Sequence, residues 1–467
     1  MSPAPTLRRL LQILTDGVDK IEAVYSDAGE TFPALEASSL NTADPAEALR
    51  ADPAVAAAIL NIMAAAAQIS ATVCNPAVAA LNASQAFHVS ACLRVASELN
   101  VVELLRDAGP QGLHAAAIAA PSNADPALLA RILRVLATHH VFLEVAPDVF
   151  ANNRISSALD KGRTPAALFA NRMERLDGNG VTALAEFFSD DVIKSAAHLA
   201  DTLLDPRAGE LPYNRAFGTE EPLYRALQRP EHAYRLKRFG LGMAGTTATE
   251  PPDTIFRGYD WGALAPGSVL VDVGGGLGHV ALEVAQRHPA LRVVVQDLEF
   301  QTEDAKKHWA VHFPEHVAAG MVEFQAHDFF DAQPVSNARV FFLRYIVHNW
   351  ADEPLTKVLR NLRAAAQPST ELVVVEKILY VAAATSAGAE DAVPGAARPT
   401  APAPLLPNWG VGKAELYYYD MAVHNMLGAG ERTLGGFVDV LQRGGWKLAR
   451  VHHCAGSQLS HLVAVPA

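Results

Sequence analysis

In the first part of the chain, apolar residues recur at three- and four-residue steps. Leu7, Leu10, Leu14, Val18, Ile21 and Val24 fall on one face of a helix that must pack against something. A second helix is predicted from Ala54 to Val73, opened by Asp52 as cap and Pro53 in the first turn, while Gly29 to Ala48 is rich in Pro, Ser, Asn and Asp and reads as a loop. From Ala86 to Leu105, Val89, Leu93, Ala96, Leu99 and Leu104 predict a single helix ending before Gly109-Pro110. Two more helical stretches follow, the second opening at Asp125-Pro126 with Leu128, Leu129, Ile132, Leu133 and Leu136. Phe142 to Val145 and Val149 to Ala151 then flank Pro147-Asp148 as a hairpin. Helices followed by a hairpin form a winged-helix pattern.

Ala166 to Asp260 keeps a helical period, and then the period changes. Val269 to Val273, Leu291 to Gln296, Met321 to Gln325, Val340 to Leu343 and Leu372 to Val375 are short apolar runs alternating with helical stretches, the pattern of a parallel sheet covered on both faces. Trp446 to His452 and Leu459 to Val465 add two closing strands. The expected organisation is a helical extension over 1–80, a winged-helix unit over 81–165, a helical connector contributing to a substrate pocket over 166–259, and a doubly wound α/β domain over 260–467. Within that domain, Ala382 to Gly412 carries Pro394, Pro399, Pro402, Pro404 and Pro407 and is expected to be a mobile surface insertion without a core.

Composition narrows the function. The formal net charge of −12, with no long basic run, disfavours a phosphate backbone or an anionic membrane as partner. The would-be recognition helix offers only Arg131 and Arg134, so dimerisation or a lid over a substrate is the expected role of the winged helix, not DNA reading. Cys74, Cys92 and Cys454 lack metal-ligand spacing and are expected to be buried thiols in a reducing, cytoplasmic compartment, forming neither a disulfide nor a zinc site. The acidic residues Asp16 and Asp19 interrupt the N-terminal apolar stretch too early for a signal peptide, and the alanine-rich 54–73 run is expected to pack in a dimer or domain core, not to span a membrane.

The first strand of the α/β domain runs into Gly274-Gly275-Gly276-Leu277-Gly278, glycines that let a ligand approach the backbone at a strand-to-helix turn. A dinucleotide fingerprint would need a glycine where His279 stands, so the spacing is GxGxG and not GxGxxG; a purely structural turn is the plain alternative. Nineteen residues after Gly278, Asp297 ends the second strand, followed by Leu298, where a carboxylate can accept from ribose hydroxyls. Asp328 and Phe329 end the third strand, offering a carboxylate for an adenine amino group beside an aromatic for its face.

Three segments carry a resemblance: Val271 to His279 (VDVGGGLGH), Arg344 to Trp350 (RYIVHNW) and Gly430 to Thr433 (GERT). Together they resemble the caffeic acid type O-methyltransferases, especially their fungal secondary-metabolite relatives. The resemblance implies a class I methyltransferase fold with an N-terminal dimerisation domain, S-adenosylmethionine as donor and S-adenosylhomocysteine as product. It also implies a homodimer, no metal, and a small acceptor bearing a hydroxyl, expected to be phenolic. His348 is then the general base, with Glu376 and Glu431 as the flanking acids. Arg344 and Trp350 join the cofactor residues, and Phe239 and Met243 match a pair that sandwiches an aromatic acceptor. Met421, His424 and Asn425 are expected to face the same pocket. Two departures stand out: the plant members carry Asp where this chain has Asn349, and Lys where it has Arg344, whose planar fork is not equivalent to an ammonium. A nitrogen, carboxylate or aliphatic hydroxyl acceptor on the same fold, and a winged-helix regulator that only senses the cofactor, are the competing readings.

Overall fold

The computed structural model describes residues 3–246, 250–251, 253–384, 392–454 and 456–467. The chain forms two compact units, Met1–Glu250 with Asn425–Leu427 and Pro251–His424 with Gly428–Ala467.

In the first unit, helix Pro3–Asp27 lies against helix Pro53–Val73 so closely that a Cβ at Gly17 would stand 2.7 Å from Ile62 Cγ1. Asp52 caps the second helix, its Oδ1 accepting from the Ala54 and Val55 amides at 2.8 and 3.2 Å. Val55, Ala58, Ala64 and Ala65 are its buried side, while Met63 and Val73 are exposed. Among the described residues it is the one helix long and apolar enough to cross a bilayer. The loop expected before it contains a short helix, Pro45–Ala48, capped by Asp44 at 2.9 Å from the Ala46 amide. Asp44-Pro45 is the same helix-opening pair as Asp52-Pro53, hidden by the polar residues around it.

The single helix expected from Ala86 to Leu105 is two helices, Phe87–Glu98 and Val101–Ala108. Asn100 breaks them apart by taking the left-handed conformation (φ 53°), which asparagine tolerates better than most residues and which an unbroken apolar rhythm conceals. Strands β1 (Leu113–His114), β2 (Phe142–Ala146) and β3 (Val149–Asn152) form an antiparallel sheet in the order β1-β3-β2. Helix Pro126–Thr138 packs on it through Leu129, Leu133 and Leu136. Its Arg134 pairs with Glu144 (2.6 Å) and Asp148 (2.7 Å) of the hairpin, so this candidate nucleic-acid contact is already neutralised within the fold.

Further along, helix Gly180–Phe187 continues through a π-helical turn, Phe188–Val192, into Ile193–Ala196. Helix Ala233–Gly245 crosses it at glycine contacts, a Cβ at Gly180 falling 2.6 Å from Gly245 Cα and one at Gly242 falling 3.2 Å from Leu184 Cα. The π turn directs Asp190 and Asp191 into a buried ionic cluster. Arg238 bonds Asp190 at 2.9 Å and Asp191 at 2.5 Å, Arg235 bonds Asp191 at 2.7 Å, and Arg94 and Lys194 pair with Asp190. Glu186 adds Arg175 (2.5 Å), Tyr234 (3.0 Å) and Ser97 (2.5 Å).

The second unit is a doubly wound sheet. Its strands are β4 (Val269–Val273), β5 (Arg292–Asp297), β6 (Val322–Ala326), β7 (Ala338–Arg344), β8 (Glu371–Leu379), β9 (Arg432–Thr433), β10 (Trp446–His453) and β11 (Leu459–Pro466). They run in the order β10-β11-β8-β7-β4-β5-β6, with β9 beside β8. Pairs among β4 to β8 are parallel, whereas β11 and β10 close the sheet antiparallel. Alternate residues bury on opposite faces: Val271, Val273, Phe341 and Leu343 on one, Leu270, Val293, Val295, Val340 and Phe342 on the other. From β4 the chain winds outward through β5 and β6, then returns to β7 on the other side. Ligands in such sheets bind at that switch, outside the carboxyl ends of the strands.

The expectation of a coreless insertion fails for residues 392–412. Ala396 is fully buried, Leu405 and Trp409 are buried, and Pro394 accepts a 2.9 Å bond from the Val451 amide. A few apolar anchors between prolines suffice to pin the segment, and composition averages them away. Residues 385–391 of the same stretch lie outside the described residues.

Candidate active site

The glycine turn leaves β4 with Gly274, Gly276 and Gly278 all at positive φ (69°, 57° and 67°). Two of these positions are fixed for opposite reasons. At Gly274 a Cβ would stand 2.7 Å from Ile346 Cδ1, so packing forbids it, whereas at Gly276 it would meet no protein atom within 4 Å. The turn therefore presents bare backbone to open space. Behind it, a Cβ at Gly275 would fall 2.6 Å from the Asp272 carboxylate.

Asp297, at the end of β5, grips this turn. Its Oδ2 accepts from the Gly276 amide at 2.8 Å and its Oδ1 from the Leu298 amide at 2.7 Å, leaving each oxygen capacity for one further donor. Burial raises its pKa against those two bonds. Asp272 is pushed up to about 7 by burial and by the neighbouring Asp297 charge, with Arg344 opposing. His279, one residue past the turn, is held down to about 4 by burial and by Arg344 and His308.

Aromatic rings wall the turn. Phe329 and Phe330 meet Trp350 edge-on at 5.8 and 4.7 Å between centroids, and Phe329 Cε1 would lie 3.5 Å from a Cβ at Gly274. Asp328 spends one oxygen locally, accepting from the Phe330 amide at 3.0 Å. Leu298 is exposed beside Asp297.

His348 sits in the single helical turn Val347–Asn349 that follows β7. Its Nδ1 is 2.8 Å from Glu431 Oε1 and 3.7 Å from Glu376 Oε2. Glu376 belongs to β8, and its Oε1 accepts from the Val347 amide at 2.8 Å, tying the strand to the histidine's turn. Glu431 arrives from elsewhere in the chain: β9 pairs with β8 in the register Arg432 to Ile378, which brings the residue before it level with Lys377, next to Glu376. Burial alone would lower the imidazole's pKa, but the Glu376 and Glu431 charges and the Glu431 bond outweigh it and raise it. The Glu376 carboxyl is also raised, chiefly by burial. Both Glu376 Oε2 and Glu431 Oε2 are buried with no hydrogen-bond partner among the described residues.

The sequence reading missed several supports of this site. Tyr345 occupies the left-handed region (φ 55°) and stacks on the His348 ring at 5.6 Å, and Arg344 lies over the Tyr345 ring at 4.7 Å. A bulky residue at positive φ has no sequence signal. Arg432 donates to the Val347 and Trp350 carbonyls at 2.8 and 2.7 Å and to Asp352 at 2.8 Å, clamping the histidine's turn from outside. Asn349, the departure noted above, donates to the Tyr345 carbonyl at 3.0 Å. Of the expected acceptor contacts, Met421 and His424 are exposed on helix Ala414–Leu427, and Asn425 is buried with no hydrogen-bond partner for its Oδ1 among the described residues. Phe239 and Met243 lie on helix Ala233–Gly245 of the first unit, Phe239 between Phe187 (5.4 Å) and Tyr224 (5.8 Å).

Comparison with known proteins decides the family. Residues 196–392 match the O-methyltransferase domain and residues 81–161 the O-methyltransferase dimerisation domain. The chain is 38% identical over 480 residues to the 4-O-methyltransferase 1 of Phanerochaete chrysosporium, covering 100% of both chains. The chain belongs to the O-methyltransferase family. An O-methyltransferase of Armillaria gallica is likewise 38% identical, over 99% of each chain. In fold, the methyltransferase is similar to the mitomycin 7-O-methyltransferase MmcR, with a TM-score of 0.61, 22% identity, and coverage of 86% of this chain and 99% of that one. It is thus a class I, S-adenosylmethionine-dependent O-methyltransferase, and the glycine turn with Asp297 is the feature of this structure that suits an adenosyl ligand.

Proposed function

We propose that this enzyme methylates a phenolic hydroxyl of a small secondary metabolite, without metal, using His348 as general base. The observation that carries the reading is the 2.8 Å contact between His348 Nδ1 and Glu431. A carboxylate there fixes the tautomer with the proton on Nδ1, so Nε2 keeps its lone pair for the incoming hydroxyl proton. The side chain is 14% exposed, buried enough to be oriented and open enough to be reached.

Bound S-adenosylmethionine supplies a methyl group on a positively charged sulfur and leaves as S-adenosylhomocysteine. The chain's own tasks are to hold, align and deprotonate. Gly274, Gly275, Gly276 and Gly278 provide the bare backbone, Asp297 the acceptors for ribose hydroxyls, and Leu298, Asp328, Phe329 and Trp350 the surroundings of the base, with Arg344 supplying positive charge. Phe239, Met243, Met421, His424 and Asn425 are the proposed acceptor contacts. As the acceptor oxygen bonds to the methyl carbon, its proton passes to His348 Nε2, giving a methoxy product. The dimerisation-domain match supports a homodimer, to be checked by light scattering.

The test is incubation with labelled donor and a panel of phenols, with product mass recorded. His348→Ala is expected to abolish turnover while leaving donor binding nearly intact; undiminished turnover would overturn the assignment of the base. Because His348, Glu376 and Glu431 place atoms within 4.8 Å of one another, a chelator assay is needed alongside. Activity is expected to survive it, and loss restored by a divalent cation would refute metal independence.

A further inference from the structure

We propose that Asp420 is a positioning residue for methyl transfer: its carboxylate fixes the Gly430–Glu431 backbone and thereby aims the Glu431 side chain at His348. The inference rests on the reading of His348 as base.

Glu431 is an unusual orienting group. One of its carboxylate oxygens bonds His348 at 2.8 Å, and the other is buried with no hydrogen-bond partner among the described residues. Its direction is therefore set less by a web of side-chain bonds than by where its backbone is held. On the C-terminal side β9 holds the chain from Arg432 onward. On the N-terminal side the connection from helix Ala414–Leu427 is Gly428-Ala429-Gly430, two glycines in three residues, a stretch with unusual conformational slack.

Asp420 removes that slack. It lies two turns back on the same helix, and its Oδ1 accepts from the Glu431 amide at 2.9 Å. A Cβ at Gly430 would stand 2.5 Å from the same oxygen, so the backbone passes against the carboxylate and an alanine there would push it off the Glu431 amide. The placement works against electrostatics, because burial and the Glu431 charge both disfavour the ionised Asp420, with the amide bond and His424 opposing them. A group kept there despite a like charge beside it is placed for its hydrogen bond. The charged and titratable groups facing this relay are Glu376, Glu431 and Lys377 around His348, and His424 beside Asp420.

The experiment uses full-length Asp420→Ala, Asp420→Asn and Gly430→Ala. For each, kcat, KM for donor and for a phenolic acceptor, the pH dependence of kcat and binding of S-adenosylhomocysteine are measured. Asp420→Ala and Gly430→Ala are expected to lower kcat by about tenfold or more with donor KM within about twofold. Both should move the rising limb of the pH profile to lower pH, because a displaced Glu431 no longer raises the imidazole. Asp420→Asn, whose amide oxygen still accepts, should stay within about threefold of the parent. Wild-type kcat and an unmoved limb in the two alanine variants would overturn the proposal, as would an Asn variant as poor as the Ala variant. If Asp420→Ala does not fold, judged by loss of S-adenosylhomocysteine binding, the other two variants decide by the same criteria. Turnover retained by His348→Ala would sink the base itself; a dead His348→Ala beside an unimpaired Asp420→Ala would sink only this inference.

Discussion

At His348 two carboxylates act together against burial, and with His348 as the proposed base their sum is expected to set the enzyme's working pH. Since the imidazole must be neutral to accept a proton and its pKa is raised, activity should rise with pH along a limb centred above the ordinary value of 6.5. Glu431→Gln removes one charge and should shift that limb downward while lowering kcat, which a kcat–pH profile reads directly. Asp272 gives a second, independent prediction. Its carboxyl titrates near 7 in the fold against an ordinary 3.8, so the folded state favours the protonated form, and stability is lost as pH rises between those values. Asp272→Asn should therefore stabilise the ligand-free protein at pH 8, by on the order of 2–4 kcal/mol, and hardly at all at pH 4, as urea titration would show. The residues of the site differ in legibility. The glycine turn, Asp297 and His348 stand in recognisable motifs, but Tyr345 and Asp420 owe their importance to a backbone angle and to a contact eleven residues away along the chain. Neither leaves a pattern in composition or periodicity.

Elements were read best where one period ran without interruption. Strands β4, β5, β7 and β8 are legible as short apolar runs because burial on both faces leaves no polar alternation to confuse with a helix, whereas β6, at the sheet edge, alternates apolar Val322 and Phe324 with polar Glu323 and Gln325. The failures share a cause: a local backbone event inside a smooth apolar or polar stretch. Asn100 splits a helix without disturbing its hydrophobic rhythm, Asp44-Pro45 opens one inside a polar loop, and Ala396 and Trp409 anchor a proline-rich segment. The crossing of helices Gly180–Phe187 and Ala233–Gly245 belongs to the same class, since glycines there serve close approach and not flexibility. Gly245→Ala is expected to force the two apart, costing about 1–3 kcal/mol in chemical denaturation. Because the helix also carries Phe239 and Met243, which are proposed acceptor contacts, acceptor KM is expected to rise more than donor KM.

Across the whole chain, a net charge of −12 coexists with a buried concentration of arginines that no bulk number reveals. Arg238 is shared by Asp190 and Asp191, so Arg238→Met leaves Asp190 to Arg94 and Lys194 and Asp191 to Arg235 with one buried partner fewer each, and a loss of about 1–3 kcal/mol is expected on urea unfolding. Composition disfavours nucleic acid as a partner, but it could not show that Arg134 is consumed by its own hairpin, because pairing is a property of space and not of sequence. The π turn at Phe188–Val192 has a further consequence. One residue beyond the regular helical count turns everything downstream by about 100°. Were a single residue excised there, the rod would regain an ordinary pitch but lose its phase: the partners now gathered on one side would be dealt out around it. Length at this point is thus a rotational coordinate, and relatives that vary it should have rebuilt their charge pairs to match.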